Sequence, residues 1–147
     1  MGMQSRPLGQ MLTSSELNRT TQIDPVKTGR GAFHTIGSCW LNSVVSAFIV
    51  STGLRTAVDP FAGKGDMLNL VGSALSMGKR GYDIDKSAGW EVNDSLVSIP
   101  RRPGSICITN PPFLANYSAR RKSIWPLVGG YYERYGRNDL YEIALDK

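Results

Sequence analysis

The chain has 147 residues, of which 41% are hydrophobic and 20% are charged, and 17 Lys and Arg against 12 Asp and Glu leave a net charge of +5. These values are typical of one globular domain, and no apolar stretch approaches the roughly 20 residues that cross a bilayer. With two cysteines and one histidine, a structural zinc site is excluded, and we expect Cys39 and Cys107 to be buried thiols. No secretory signal precedes the domain, so we expect a cytoplasmic protein whose positive charge favours a polyanionic partner.

The first predicted elements are an arm and a helix. Residues 1–32 are rich in polar residues and glycine without an apolar period, and we interpret them as an N-terminal extension before a domain at 33–147. Apolar residues at helical spacing then predict a helix with one buried face, capped by Ser38 and ended by Gly53. The apolar positions are Trp40, Leu41, Val44, Val45, Phe48 and Ile49.

The next segment predicts a βαβ unit, which implies a parallel sheet. Its parts in chain order are a strand at Leu54–Val58 that stops at Asp59-Pro60, a loop at Phe61–Gly65, a helix through Met67–Leu75 closed by Gly78, and a strand at Lys79–Ile84. Further strands are predicted near Trp90–Val92 and at Ser105–Thr109, the latter running into Asn110-Pro111-Pro112-Phe113. Ligands bind outside the carboxyl ends of such strands, so we expect chemistry at this last loop.

The C-terminal part combines basic and aromatic residues. The stretch Tyr117–Arg137 could hold phosphates and stack on bases, or it could be a solvated, partly disordered loop. A helix is predicted from Asn138 to Asp146.

Four residues near the βαβ unit have the chemistry of a nucleoside site. Gly63 and Gly65 allow a tight turn and close approach of a ligand, and Asp83 stands where a carboxylate accepts the hydroxyls of a ribose. Asp94 could accept a hydrogen bond from an adenine amino group or could be a turn residue. The third glycine of a dinucleotide fingerprint and the Gly-Lys-Ser/Thr of a triphosphate loop are both missing, which argues against NAD and ATP.

Three segments resemble motifs I, II and IV of the S-adenosylmethionine-dependent amino-methyltransferases. They are Asp59-Pro60-Phe61-Ala62-Gly63-Lys64-Gly65-Asp66, then Gly81-Tyr82-Asp83-Ile84-Asp85, then Asn110-Pro111-Pro112-Phe113. Phe33-His34-Thr35 resembles motif X without its usual proline, and Asp139-Leu140-Tyr141 resembles motif V. The resemblance implies a Rossmann-like class I methyltransferase sheet.

The resemblance also implies roles for individual residues. Thr35 and the loop with Asp59, Phe61, Gly63 and Gly65 would hold the methionine end of S-adenosylmethionine, Asp83 its ribose and Asp94 its adenine. Asn110 and the carbonyl of Pro111 would accept hydrogen bonds from the two N–H groups of the target amine, with rigidity from Pro112 and stacking from Phe113. The implied reaction is N6-methylation of adenine in double-stranded DNA, as in restriction-modification systems.

Alternatives remain at this level. Similar Asn-Pro-Pro-aromatic loops occur in enzymes that methylate RNA or protein glutamine, whereas cytosine-N4 enzymes often have Ser in place of the Asn, which favours adenine without excluding cytosine. A noncatalytic cofactor-binding or assembly subunit is also compatible with the sequence. About four strands with flanking helices are fewer than the family's seven. We therefore expect an incomplete catalytic domain that depends on a protein partner or on a further C-terminal segment for the remaining strands and for recognition of the DNA sequence.

Overall fold

The computed structural model describes residues 37–147, so the predicted arm and the motif that contains Thr35 lie outside the described residues. The described part contains helices and short strands in the order α1 Ser43–Ser51, β1 Thr56–Asp59, α2 Asp66–Leu75, β2 Gly78–Asp83, β3 Glu91–Val92, β4 Ser105–Cys107, α3 Asn116–Arg121, α4 Trp125–Tyr135 and α5 Leu140–Leu145. A 3-10 turn at Lys86–Ala88 separates β2 from β3. The α/β class predicted from the sequence is confirmed.

The strands form one parallel sheet in the order β3-β2-β1-β4. Thr56 of β1 is paired with Gly78 of β2 on one side and with Ser105 of β4 on the other. In β1, Ala57, Val58 and Asp59 are all buried. The predicted βαβ unit is therefore present, with β1 between its two neighbours and β4 at an edge of the described sheet.

Helix α1 begins later than the sequence predicts. Asn42, and not Ser38, is its N-cap, because the Asn42 side-chain oxygen accepts hydrogen bonds from the backbone N–H groups of Val44 and Val45, both at 3.0 Å. Only part of the predicted apolar face is buried: Ile49 lies in the core, whereas Phe48 is 64% exposed. The helix packs on the core through Ile49 and the half-buried Val45, whereas Val44, Phe48 and Val50 face outward.

Helix α2 is the crossover of the βαβ unit. It packs on the sheet through the fully buried Leu68 and Val71. Its last turn is followed by Ser76 with a φ of 53°, a left-handed conformation, and Gly78 is already the first residue of β2. The prediction that Gly78 ends the helix is therefore wrong by two residues.

The C-terminal helices form a second apolar cluster beside the sheet core. Tyr132, Leu140 and Ile143 are buried in it, and Phe61 of the loop after β1 packs against it. The basic, aromatic stretch is thus helical, which excludes the loop interpretation. The predicted last helix is confirmed as α5, which begins with a capping box between Asp139 and Glu142.

Both cysteines are exposed, contrary to the expectation of buried thiols. Cys107 ends the edge strand β4, where no further described strand covers it. Within residues 37–147, no helix has the length and apolarity needed to span a membrane. In the same residues no three His, Cys, Asp or Glu side chains are grouped as a metal site would require.

Candidate functional site

Four predicted site residues come together at the carboxyl edge of the sheet. Asp59 ends β1, Asp83 ends β2, Asp94 follows β3 by two residues and Asn110 follows β4 by three. Because the strands are parallel, these ends face the same way. Along the edge the order is Asp94, Asp83, Asp59 and Asn110, which follows the sheet order and differs from the chain order.

Asp59 is the most buried of these groups, with 3% of its surface exposed. Its Oδ1 accepts hydrogen bonds from the backbone N–H of Phe61 at 2.9 Å and from the hydroxyl of Thr109 at 2.7 Å. Burial raises the pKa of Asp59 from 3.8 to about 6, against the lowering effect of these two donors, and the negative charge of Asp83 adds to the rise. The carboxyl group is enclosed between the β1 and β4 loops.

Asp83 fixes the glycine loop from the neighbouring strand. Its Oδ2 accepts a hydrogen bond from the backbone N–H of Gly63 at 2.8 Å, and its Oδ1 accepts one from the N–H of Asp85 at 2.8 Å. A carboxylate has about four acceptor sites, so these two bonds leave about two for ligand hydroxyls. The loop itself turns through Gly65, which has a φ of 80° and donates to the carbonyl of Ala62 at 2.7 Å.

Trp90 supports the same loop and was missed by the sequence analysis. Its Nε1 donates to the carbonyl of Gly63 at 3.1 Å, and its ring lies against both Gly65 and Gly81. A β-carbon on Gly81 would lie 2.5 Å from that ring, and one on Gly65 would overlap it. The two glycines are therefore needed for packing as well as for the turn. Only the presence of glycines in both segments hinted at a bulky neighbour.

Asp94 combines the two interpretations that the sequence left open. Its Oδ1 accepts from the N–H of Leu96 at 3.1 Å, as expected of a turn residue. Its Oδ2 accepts a 2.6 Å hydrogen bond from the hydroxyl of Tyr131 in α4. Burial and the Asp94 carboxylate both raise the pKa of Tyr131, so this phenol stays protonated and donates. The carboxylate is thereby oriented at the sheet edge.

The 110–113 loop leaves β4 between the sheet and the C-terminal cluster. Asn110, Pro111 and Pro112 are half-buried, and Phe113 is 42% exposed with its ring centroid 5.5 Å from that of Tyr141. The next residue, Leu114, anchors the loop: its N–H donates to Asp139 at 3.0 Å and its carbonyl accepts from the hydroxyl of Tyr132 at 2.6 Å. The end of the loop at Leu114 is thus held by hydrogen bonds.

Helix α3 begins three residues after this loop and carries a basic surface. We define the α3 surface as Tyr117, Arg120, Arg121 and Lys122, all exposed, with Tyr117 69% exposed. Arg120 lies over the Trp125 ring at 3.5 Å, and its Nε donates to Asn116 at 3.1 Å. The ion pairs found in residues 37–147 involve Glu91 and Asp146, so none neutralises the α3 surface.

The fold and this edge define an α/β protein with a parallel sheet and a row of carboxylate and amide side chains at the carboxyl ends of its strands. A scan against protein-family models and a search of curated proteins both find no match.

Proposed function

We propose that this protein binds S-adenosylmethionine at the carboxyl edge of the sheet and methylates the exocyclic amino group of adenine in DNA. The observation that carries the proposal is the order of side chains along that edge. Asp94, Asp83, the loop after Asp59 and Asn110 follow one another across adjacent strands. That is the order in which adenine, ribose, methionine and the methyl acceptor would be contacted, although it is not the order of these residues in the chain.

The hydrogen-bond acceptors at this edge suit this cofactor. Asp83 retains acceptor capacity for ribose hydroxyls while it holds the N–H of Gly63, and Asp94 retains capacity for an adenine amino group beside Tyr131. Gly63 and Gly65 keep the loop close to a bound ligand. When bound, S-adenosylmethionine supplies an electrophilic methyl group.

The chain's contribution to the reaction is to position the target amine. The nitrogen lone pair of an exocyclic amine is delocalised into the ring, which makes it a poor nucleophile. The side-chain oxygen of Asn110 and the carbonyl of Pro111 would accept hydrogen bonds from its two N–H groups, which favours a pyramidal nitrogen with a localised lone pair. The exposed face of Phe113 would stack on the base, which has to leave the duplex to reach this loop. Asn110 therefore acts by orientation and charge stabilisation.

The α3 surface supports a nucleic acid as the substrate. It lies directly after the loop with the proposed catalytic residues, and its Arg121 and Lys122 are exposed cations. Phosphate contacts of this kind position a protein without specifying a sequence. The edge of β4 further supports a protein partner, because the described sheet presents no strand beyond it. We propose that an added strand from another polypeptide segment, together with a region that recognises the DNA sequence, completes the active form.

Labelled methyl transfer tests the proposal. The protein, alone and with fractions that contain candidate partners, would be given labelled S-adenosylmethionine with DNA, RNA or protein as acceptor. We expect label on adenine N6 of DNA, with Asn110→Ala abolishing transfer while cofactor affinity measured by calorimetry is retained. Label on RNA or on protein glutamine would support those acceptors instead, and cofactor binding without any transfer would support a noncatalytic subunit.

A second experiment examines the cofactor site directly. Asp83→Asn keeps the shape of the side chain but removes its charge. We expect this variant to bind S-adenosylmethionine about tenfold more weakly or worse, because a charge-assisted hydrogen bond to the ligand is lost. Glu133→Gln, an exposed change on α4, is the matched control and should bind normally. Equal affinity of the two variants would exclude Asp83 as a ligand.

A third experiment examines the α3 surface. The double variant Arg121→Ala, Lys122→Ala should bind DNA more weakly. The slope of the logarithm of its binding constant against the logarithm of the salt concentration should also be smaller by about 2, because each phosphate contact releases about one counterion. Arg55→Ala at the opposite end of β1 is the control. If the control lowered the slope as much as the paired change, the α3 surface would not be the site of contact.

A further inference from the structure

The hydrogen bond between Asp59 and Thr109 joins the two loops of the proposed active site. Thr109 is the residue immediately before Asn110, and Asp59 is the last residue of β1. The last backbone hydrogen bond between β1 and the segment of β4 runs from the N–H of Ile108 to the carbonyl of Val58, at 2.9 Å. One residue further along, the side chain of Thr109 adds a hydrogen bond to Asp59. It therefore determines where the 110–113 loop leaves the sheet.

The same carboxylate oxygen also holds the other loop. Asp59 Oδ1 accepts the N–H of Phe61, and the ring of Phe61 packs against the C-terminal cluster that contains Leu114. One buried atom thus touches the first residues of the 61–65 loop and the residue that precedes the 110–113 loop. With 3% of its surface exposed and two protein donors on one oxygen, Asp59 is poorly suited to contact a ligand itself.

We infer that Asp59 is a positioning residue, which acts through Thr109 to hold Asn110 in register with the glycine loop, and not a ligand of the cofactor. This inference deepens the proposed function, on which its catalytic consequences rest. The ionised carboxylate is the stronger acceptor for the Thr109 hydroxyl, so the link is strongest when Asp59 is charged. The titratable groups that face Asp59 are Asp83 of β2 and Cys107 of β4.

Variants of Thr109 provide the enzymatic test. Thr109→Val keeps the side-chain shape and removes the donor, whereas Thr109→Ser keeps the donor. We expect Thr109→Val to lower kcat by roughly ten- to hundredfold with unchanged affinity for S-adenosylmethionine, and Thr109→Ser to restore most of the rate. The acid limb of the pH–rate profile should also move to higher pH in Thr109→Val, because the Thr109 donor lowers the pKa of Asp59. A loss of cofactor affinity equal to the loss of rate, or failure of Thr109→Ser to restore it, would overturn the inference.

A nuclear magnetic resonance titration decides the inference without any activity measurement. In the unaltered protein, the chemical shifts of the Asp59 carboxyl carbon and of the Asn110 side-chain amide should change with pH at the same midpoint. In Thr109→Val the Asp59 midpoint should rise and the Asn110 signal should no longer follow it. An Asn110 amide that does not respond to Asp59 in the unaltered protein would overturn the inference. Absence of methyl transfer with the coupled titration intact would instead contradict the proposed function alone.

Discussion

The hydroxyl of Tyr131 donates a 2.6 Å hydrogen bond to Asp94, a residue 37 positions earlier in the chain. The adjacent Tyr132 donates to the carbonyl of Leu114 at 2.6 Å. Successive residues of α4 therefore hold two different parts of the candidate site, the turn after β3 and the residue that follows the 110–113 loop. The C-terminal helices are part of the site's framework and are not an appendage to the sheet.

We predict that Tyr131→Phe weakens S-adenosylmethionine binding by roughly tenfold, because Asp94 loses the donor that orients its carboxylate. The free energy of unfolding should also fall by about 1.5–3 kcal/mol, the range for a hydrogen bond to a charged group. Calorimetry and chemical denaturation measure the two effects. Tyr117→Phe is the matched control, since its side chain is 69% exposed. Identical cofactor affinities for the two variants would contradict a role for Tyr131 at the site.

The sequence predicted the βαβ unit and the location of its loops because these depend on local signals. The apolar run that ends at Asp59-Pro60 and the helical stripe after Gly65 each determine an element within a few residues. The start of α1 was misplaced because Asn42 and Ser38 are both competent caps. In the structure the side chain of Asn42 accepts the capping hydrogen bonds, and the helix therefore starts at Ser43.

The contacts that shape the site were beyond prediction because they join distant residues. Trp90 reaches the carbonyl of Gly63 across 27 residues, and Thr109 reaches Asp59 across 50. No spacing rule connects such pairs, since their proximity arises only when β1, β2 and β4 are aligned in the sheet. The exposure of Cys107 likewise depends on the position of β4 at the edge of the described strands.

Two neighbouring glycines of α4 should respond oppositely to alanine. A β-carbon on Gly129 would lie 2.5 Å from the Trp125 ring, which is stacked on Tyr132, whereas one on Gly130 would meet no atom within 4 Å. We predict that Gly129→Ala lowers the free energy of unfolding by about 1–3 kcal/mol through overpacking. Gly130→Ala should raise it by about 0.5–1 kcal/mol, because alanine favours the helix. Chemical denaturation checks both values, and a shift of the same sign in both variants would refute this packing.

The Trp90 contact predicts a difference between Gly65 and Gly89. Both have a φ of 80°, so alanine would be strained in either. At Gly65 the new β-carbon would also overlap the Trp90 ring, whereas at Gly89 it would meet no atom within 4 Å apart from those of its own chain neighbours. Gly89→Ala should cost about 1–2 kcal/mol for the left-handed conformation alone. Gly65→Ala should cost more and should also alter the fluorescence of Trp90, because the ring has to move. Trp90→Phe in the same background identifies the emission that belongs to this residue. Equal stabilities with unchanged fluorescence would contradict the packing of Trp90 on the loop.

Burial of Asp59 predicts a stability difference that depends on pH. The pKa of Asp59 is raised from 3.8 to about 6, so between these values the folded protein binds more protons at this position than the unfolded chain does. The favourable contribution of the protonated carboxyl is complete below about pH 4 and is lost as the pH rises through about 6. Each pKa unit corresponds to about 1.4 kcal/mol, so the total change is about 3 kcal/mol.

Asp59→Asn carries no charge at either pH and removes this dependence. We therefore expect the free energy of unfolding of Asp59→Asn, relative to the unaltered protein, to be about 3 kcal/mol more favourable at pH 7 than at pH 4. Urea denaturation of both proteins across this range measures the difference, and Asp66→Asn, at an exposed aspartate in the first turn of α2, controls for the general loss of a negative charge. A difference between Asp59→Asn and the unaltered protein that stays constant from pH 4 to pH 7 would mean that Asp59 titrates as an ordinary solvated carboxylate, and a change in the opposite direction would mean that folding lowers its pKa; either result would contradict the prediction.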